Sequence, residues 1–79
     1  MIEPSLSPEM VARSRVMARG RRIREVERLV ATHGGRVARW IKRSTAVMED
    51  RAGLFEYHWY EHHGLGRFEI KRVDIEHRT

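Results

Sequence analysis

The chain has 79 residues, no cysteine and a formal net charge of +5. This length supports one small core, and the lack of cysteine excludes disulfides and thiolate metal sites. No apolar run approaches the roughly 18–20 residues needed to cross a membrane, and the N-terminus lacks the apolar stretch of a signal peptide. We therefore expect a single domain over residues 1–79 that does not enter a membrane.

The positive charge is concentrated in the first part of the chain. Residues 1–47 carry 11 basic and 4 acidic side chains, whereas residues 48–79 carry 5 basic and 7 acidic ones. Arginine supplies 14 of the 16 basic side chains, and its planar fork suits phosphate. This predicts nucleic-acid binding by the first part, with Arg21, Arg22 and Arg24 as contacts. The alternative is a solvated basic surface of the kind that a GC-rich genome also encodes.

The chain begins with a flexible lead-in over residues 1–6, followed by a helical stretch over residues 7–33. Ser7 and Pro8 are typical of a helix start, the first as cap and the second in the first turn. Gly20 either kinks this helix or separates two helices, because glycine costs about 1 kcal/mol in a helix interior. The clearest apolar stripe, at three- and four-residue spacing, comprises Ile23, Val26, Leu29 and Val30.

A connecting segment over residues 34–48 follows two glycines that end the helical stretch. Residues 36–44 fit either a short helix or an alternating strand, and we favour a short helical or irregular segment that packs Trp40 on the core. Thr45 to Met48 is expected to form a strand.

A β-hairpin is predicted over residues 54–62 and 67–75, since both arms alternate with a two-residue period around a glycine-containing turn. Placing Trp59 opposite Phe68 makes one face apolar, and that face is expected to pack on the helices. Helices followed by a small antiparallel sheet predict an α+β fold. A frayed tail follows from Asp74.

The same register gathers groups of different chemistry on the other face of the hairpin. His58 falls opposite Glu69, Tyr60 opposite Arg67, and Glu56 opposite Lys71. Such a face combines a base, a phenol, carboxylates and cations. Ordinary cross-strand ion pairs, each worth roughly 0.2–1 kcal/mol, are the alternative explanation.

Several short motifs, in their order and spacing, resemble the small C-terminal toxin domains of bacterial polymorphic and RHS-type secreted proteins. The similarity covers about residues 25–73. The matching residues are Gly34, Gly35, Trp40, Lys42, His58, Trp59, Tyr60, Glu61, Gly64, Gly66, Arg67, Glu69 and Lys71. This resemblance implies a nuclease-like domain of the broad barnase, colicin and RelE kind, in which helices precede a sheet whose open face cleaves RNA without metal. It also implies an acidic immunity or antitoxin protein as partner, and action in the cytoplasm of the producing or target bacterial cell.

Metal-free RNA cleavage needs a base, an acid and cations that offset the phosphate charge. His58 or Glu69 is the candidate base, with the other as acid or orienting partner, and Arg67 and Lys71 are the candidate phosphate ligands. RNA contacts are also expected from Lys42, if its segment lies along the sheet edge, and from Tyr60, whose ring can stack on a base.

Histidines at positions 58, 62 and 63 raise the question of a metal site. His58 and His62 would lie about 13 Å apart on an extended strand, from a rise of roughly 3.3 Å per residue. A shared zinc ion needs imidazole nitrogens at roughly 2.0–2.1 Å. We therefore expect neither a metal site nor a cofactor. A non-catalytic module that binds nucleic acid or a protein partner, and a phage- or plasmid-borne adaptor that acts through oligomerisation, are the functional alternatives.

Overall fold

The computed structural model describes residues 3–75, which form a five-stranded antiparallel sheet and a few short helices. In chain order the elements are α1 (Pro8–Ala12), β1 (Arg15–Arg19), a first 3-10 turn (Gly20–Arg22), α2 (Val26–His33), a second 3-10 turn (Val37–Arg39), β2 (Trp40–Ser44), β3 (Met48–Asp50), β4 (Gly53–His62) and β5 (Gly66–Asp74). This combination agrees with the expected α+β class. Residues 1–2 of the predicted lead-in and 76–79 of the predicted tail lie outside the described residues.

The long strand β4 organises the sheet. β5 pairs along one edge of β4, while β2 and β3 pair with successive parts of its other edge. β1 pairs with the far edge of β2. The predicted hairpin is therefore confirmed, and the structure adds three strands around it.

The core lies between α2 and one face of the sheet, which we call the helix-side face. Ile23 and Leu29 are at most 1% exposed, and they pack with Trp40 and Tyr60 of the sheet. The apolar stripe predicted for the second helix is thus the stripe that forms the core. The opposite face of the sheet is the outer face.

A strand interrupts the helical stretch predicted over residues 7–33. Its two ends are confirmed: the Ser7 hydroxyl caps α1 by accepting from the Met10 amide at 3.1 Å, and α2 ends at His33 before glycine. The prediction is wrong in between, where β1 forms. Pairing with β2 outweighs local helical preference there. The buried Gly20, with φ +54°, then begins the first 3-10 turn.

The segment expected to connect the two halves, residues 34–48, contains strand β2. Trp40 is fully buried as predicted, and its indole N–H donates to the Gly34 carbonyl at 3.1 Å. A single 3-10 turn comes first and strand β2 follows, so the favoured short helical or irregular segment is wrong for residues 40–44, which pair with β4. The strand expected from Thr45 to Met48 is wrong for residues 45–47, because β3 begins at Met48.

The loop of the β4–β5 hairpin shifts its register by one residue from the prediction. His62 pairs with Gly66 across a loop of three residues, so Phe68 lies opposite Tyr60 and not opposite Trp59. Residues directly opposite each other share a sheet face. Phe68 therefore joins Tyr60 on the helix-side face, and the predicted Trp59–Phe68 pairing is wrong.

A β-bulge shifts the register by a second residue. Glu69 and Ile70 together oppose Trp59, and beyond them Lys71 lies opposite His58. Glu69 adopts φ +56°, a left-handed conformation that is unusual for a residue other than glycine. The predicted pairing of His58 with Glu69 is therefore wrong.

Trp59 is fully buried, as predicted, but on the outer face. Its indole N–H donates to Glu61 Oε1 at 2.9 Å, and Arg43, its partner on β2, donates to the other oxygen of Glu61 at 2.9 Å. The prediction that the Trp59 face meets the helices is wrong, since Tyr60 occupies that position. An ion pair and an aromatic ring together line the outer face at this point.

We predict that Gly35→Ala destabilises the domain far more than Gly64→Ala. A Cβ at Gly35 (φ +79°) would lie 2.3 Å from Nε2 of the His62 ring, whereas one at Gly64 meets nothing within 4 Å. The ring is held in place, because Nε2 accepts from the Arg36 amide at 3.2 Å and Nδ1 lies 2.7 Å from the His63 carbonyl.

Left-handed strain alone should cost about 1–2 kcal/mol at Gly64. At Gly35 the clash with His62 should add at least about 2 kcal/mol. Urea denaturation followed by tryptophan fluorescence measures both variants. Equal decreases in stability would show that the ring can move aside.

Candidate nucleic-acid interface

The structure separates the four residues predicted to cleave RNA. His58 and Lys71 lie opposite each other on β4 and β5. The carboxylate of Glu69 contacts α2, through Arg28 and His33. Arg67 lies opposite Glu61 on the outer face, with Nε 3.6 Å from its carboxylate. Only His58 and Lys71 of the predicted set are therefore brought together.

Glu69 ties the hairpin to α2. Arg28 donates to both of its carboxylate oxygens, at 3.0 and 2.8 Å, and His33 Nε2 lies 2.9 Å from one of them. The His33 ring stacks on Phe68 with centroids 4.2 Å apart. The hydrogen bonds from Arg28 lower the pKa of the Glu69 carboxyl, with His33 adding to the effect and burial opposing it. These contacts give Glu69 a structural role at the helix–sheet boundary.

A second polar group, which we call the Glu56 cluster, consists of Arg15, Glu56 and His58 on the helix-side face beyond the core. His58 Nε2 lies 3.0 Å from Glu56 Oε1, and Arg15 donates to Oε2 at 2.9 Å. The Glu56 and His58 side chains are only 11% and 12% exposed, whereas that of Arg15 is 55% exposed. The buried Ser44 lies opposite His58 on β2, and the exposed Lys71 lies opposite it on β5.

Glu56 is held as a carboxylate by its partners. The hydrogen bond from His58 lowers the pKa of the Glu56 carboxyl, burial opposes this, and Arg15 lowers it further. Glu56 is expected on the same face as His58, because the two are two positions apart on a strand. No sequence signal pointed to Arg15, which reaches the cluster from a strand that local patterning did not predict.

Tyr60 belongs to the core and not to an open face. It is 6% exposed, and its hydroxyl donates to Glu25 at 3.0 Å. Burial and the Glu25 carboxylate raise the pKa of Tyr60 to about 12. Burial alone would raise the pKa of Glu25, but the hydrogen bond from Tyr60 contributes to a net lowering. A ring in this position is not open for base stacking, so we do not retain Tyr60 as an RNA contact.

The two 3-10 turns bring together exposed arginines from separate parts of the sequence. A Cβ on the buried Gly20 would lie 3.6 Å from the Ala38 Cα, which shows how closely the first turn packs on the second. We call the exposed arginines on and beside these turns the arginine patch. It comprises Arg19, Arg21, Arg22, Arg24, Arg36 and Arg39.

The arginine patch has few acidic neighbours, of which Glu25 lines the same cavity as Arg24 and Lys42 and accepts from the Tyr60 hydroxyl. Within residues 3–75, the ion pair of Arg21 with Glu27, at 3.9 Å, is the one carboxylate contact of the patch. Lys42 adjoins it, because it lines a surface cavity of about 270 Å³ together with Arg22 and Arg24. The predicted contacts Arg21, Arg22, Arg24 and Lys42 are therefore neighbours on one surface. The other patch residues escaped prediction because they come close only through the packing of the turns.

Comparison with protein families, with curated proteins and with solved structures found no match to this chain. The resemblance to toxin domains therefore stays a prediction. Among the helices of residues 3–75, none has the length and apolar character required to cross a membrane.

We predict that Glu56→Gln destabilises the domain at neutral pH and that this difference shrinks in acid. The pKa of Glu56 is lower in the folded state than its ordinary value of 4.5. Its stabilising contribution is therefore complete above that value and is lost as pH falls through the folded-state pKa.

Urea denaturation across the acid range measures this effect, with the exposed Glu49→Gln as the matched control. The gap between the parent protein and Glu56→Gln should be widest above about pH 5 and close progressively below it. A gap that stays constant down to strong acid would show that the carboxylate form of Glu56 does not stabilise the fold.

Proposed function

We propose that this protein is an RNA-binding domain that holds the phosphate backbone with its arginine patch. The observation that carries the proposal is the gathering of six exposed arginines on and beside two packed turns, with one ion pair among them, at 3.9 Å. Arginines that are paired on a protein surface have their charge offset, whereas uncompensated ones attract a polyanion and release its counterions. Elsewhere on the molecule, arginines such as Arg28 and Arg72 are engaged by carboxylates.

The resemblance to bacterial toxin domains suggests where this binding would take place. RNA in the cytoplasm of the producing or target cell would be the ligand. An acidic immunity or antitoxin protein would compete for the same positive charge. A non-catalytic module that binds an acidic protein partner through the patch is the alternative.

The binding proposal predicts a steep dependence of RNA affinity on salt. Arg36→Gln with Arg39→Gln should weaken binding of single-stranded RNA. It should also flatten the plot of log K against log salt by about 1.4, since each phosphate that the protein no longer neutralises lowers the slope by about 0.7. The matched double variant, Arg13→Gln with Arg51→Gln, removes the same charge from exposed positions outside the patch. Fluorescence anisotropy over a salt series measures both.

The comparison of the two double variants decides between a patch and a general effect of net charge. Equal slopes in both would overturn the patch. Binding that does not respond to salt would overturn the whole RNA proposal. Affinity for an acidic protein without affinity for RNA would favour the partner-binding alternative.

Metal-independent endoribonuclease activity is a second candidate function, and the Glu56 cluster favours it. His58 donating Nε2–H to Glu56 would leave Nδ1 unprotonated, which suits a base that is oriented by a carboxylate. Glu56 takes the orienting role predicted for Glu69, and Arg15 and Lys71 supply positive charge at the accessible rim.

In the proposed reaction, His58 takes the proton of a ribose 2′-hydroxyl. The 2′-oxygen forms a bond to the adjacent phosphorus, and the bond from phosphorus to the 5′-oxygen breaks. Lys71 or water returns a proton to the leaving 5′-oxygen. The products are a 2′,3′-cyclic phosphate and a 5′-hydroxyl.

We predict that His58→Ala lowers the cleavage rate by roughly 10²–10⁴-fold, the usual contribution of one acid or base, with little change in RNA affinity. Glu56→Gln should lower it as well, whereas Glu69→Gln should affect stability more than rate. The assay follows end-labelled RNA in EDTA and identifies the cyclic phosphate end. Full activity in His58→Ala would overturn the assignment, and absence of cleavage by the parent protein would leave RNA binding as the function.

A further inference from the structure

β1 leaves one edge of the sheet open. It pairs with β2, and within residues 3–75 no strand pairs with its other edge. Val16 and Met17 on this strand are 37% and 43% exposed. An open edge carries backbone N–H and C=O groups that can pair with an added strand. The exposed side chains would then pack against the residues of that strand.

All the charged side chains in the sequence around this edge are positive. The segment from Arg13 to Arg24 contains six arginines and no acidic residue. Arg15 and Arg19 stand at the two ends of the strand, with Val16, Met17 and an alanine between them. The edge therefore presents an apolar centre between two cationic ends.

Two surface cavities adjoin β1. One, of about 380 Å³, is lined by Val16, Met17, Ala18, Arg19 and Arg22. The other, of about 270 Å³, also contains Met17, Ala18 and Arg22 in its lining. Both combine apolar strand residues with arginine, so each has room and matching chemistry for the side chains of a neighbouring strand.

A second copy of this chain is a poor occupant of the edge. Antiparallel self-pairing centred on Met17 would set Arg15 opposite the other copy's Arg19, and parallel pairing in register would set each arginine opposite itself. Like charges directly opposite each other destabilise strand pairing. The bulge at Met17, between the paired residues Val16 and Ala18, also shortens the regular edge. A short edge offers few backbone hydrogen bonds, so an added strand of opposite charge would bind better than a second copy of this chain.

We propose that the free edge of β1 binds an extended segment of another protein in which a short apolar centre is flanked by acidic residues, as an added strand of the sheet. Backbone hydrogen bonds supply part of the affinity in this mode of recognition, and side chains at alternate positions supply the specificity. The acidic residues pair with Arg19 and with the exposed part of Arg15, whose guanidinium also donates to Glu56, and the apolar ones cover Val16 and Met17. This site lies beside the arginine patch and adds a protein-binding surface to the proposed RNA-binding one.

The probe is a labelled peptide with a central run of valines flanked by glutamates, and its affinity is measured by fluorescence anisotropy. Val16→Glu places a like charge at the centre of the edge and should weaken binding at least about tenfold. Val16→Lys removes the same apolar group with the opposite charge and should weaken it less than about threefold. RNA affinity should instead fall in Val16→Glu and rise in Val16→Lys, because Val16 lines a cavity with Arg19 and Arg22 of the patch.

Three further measurements distinguish strand addition from charge attraction. A peptide with N-methylated backbone and the same side chains should bind at least about tenfold more weakly, and a polyglutamate peptide should also be weaker. Hydrogen exchange should show that the glutamate–valine peptide slows the amides of β1. Equal binding of all three peptides, slowed exchange at the 3-10 turns alone, or the same slowing of β1 by RNA would overturn the proposal. So would a dimer of the free protein with β1 amides already protected.

Discussion

The bulge in β5 is the constraint on which the arrangement of the sheet depends. It holds Glu69 at φ +56°, a conformation that costs a residue with a Cβ about 1–2 kcal/mol. Two hydrogen bonds from Arg28 and a contact with His33 offset this cost, since charge-assisted bonds are stronger than neutral ones. The bulge and α2 therefore stabilise each other, because α2 supplies the partners of Glu69. The register of the hairpin and the position of α2 therefore depend on each other.

Two one-residue shifts explain which parts of the hairpin were predictable. The three-residue loop shifts Arg67 and Phe68 by one residue relative to β4, so that Phe68 shares a face with Tyr60 and not with Trp59, and the bulge shifts the rest of β5 by one more residue. Side chains alternate with a period of two. The second shift therefore restores, for residues beyond the bulge, the predicted sharing of a face with particular residues of β4. Lys71 therefore shares a face with His58, as predicted, although their pairing differs.

Local signals located the features that depend on neighbours in sequence, and they failed for those that depend on distant contacts. The Ser7 cap, the end of α2 and the two hairpin arms follow from capping, glycine and alternation, which act within a few residues. The local pattern of the β1 residues predicts a helix, and pairing with β2 makes them a strand. The Glu56 cluster could not be predicted for the same reason, since its Arg15 lies on β1. Spacing within the sequence carries no information about such a partner.

The positions of the carboxylates determine which surface of this protein stays positively charged. Glu56, Glu61 and Glu69 each engage an arginine on the sheet or on α2, and these pairs lie where side chains are partly buried and an unpaired charge would be costly. The arginine side chains on the two 3-10 turns are exposed, so they need no carboxylate for folding. Positive charge is thus left on the surface of these turns. A ligand that neutralises it gains counterion release without competing against the ion pairs that hold the fold together.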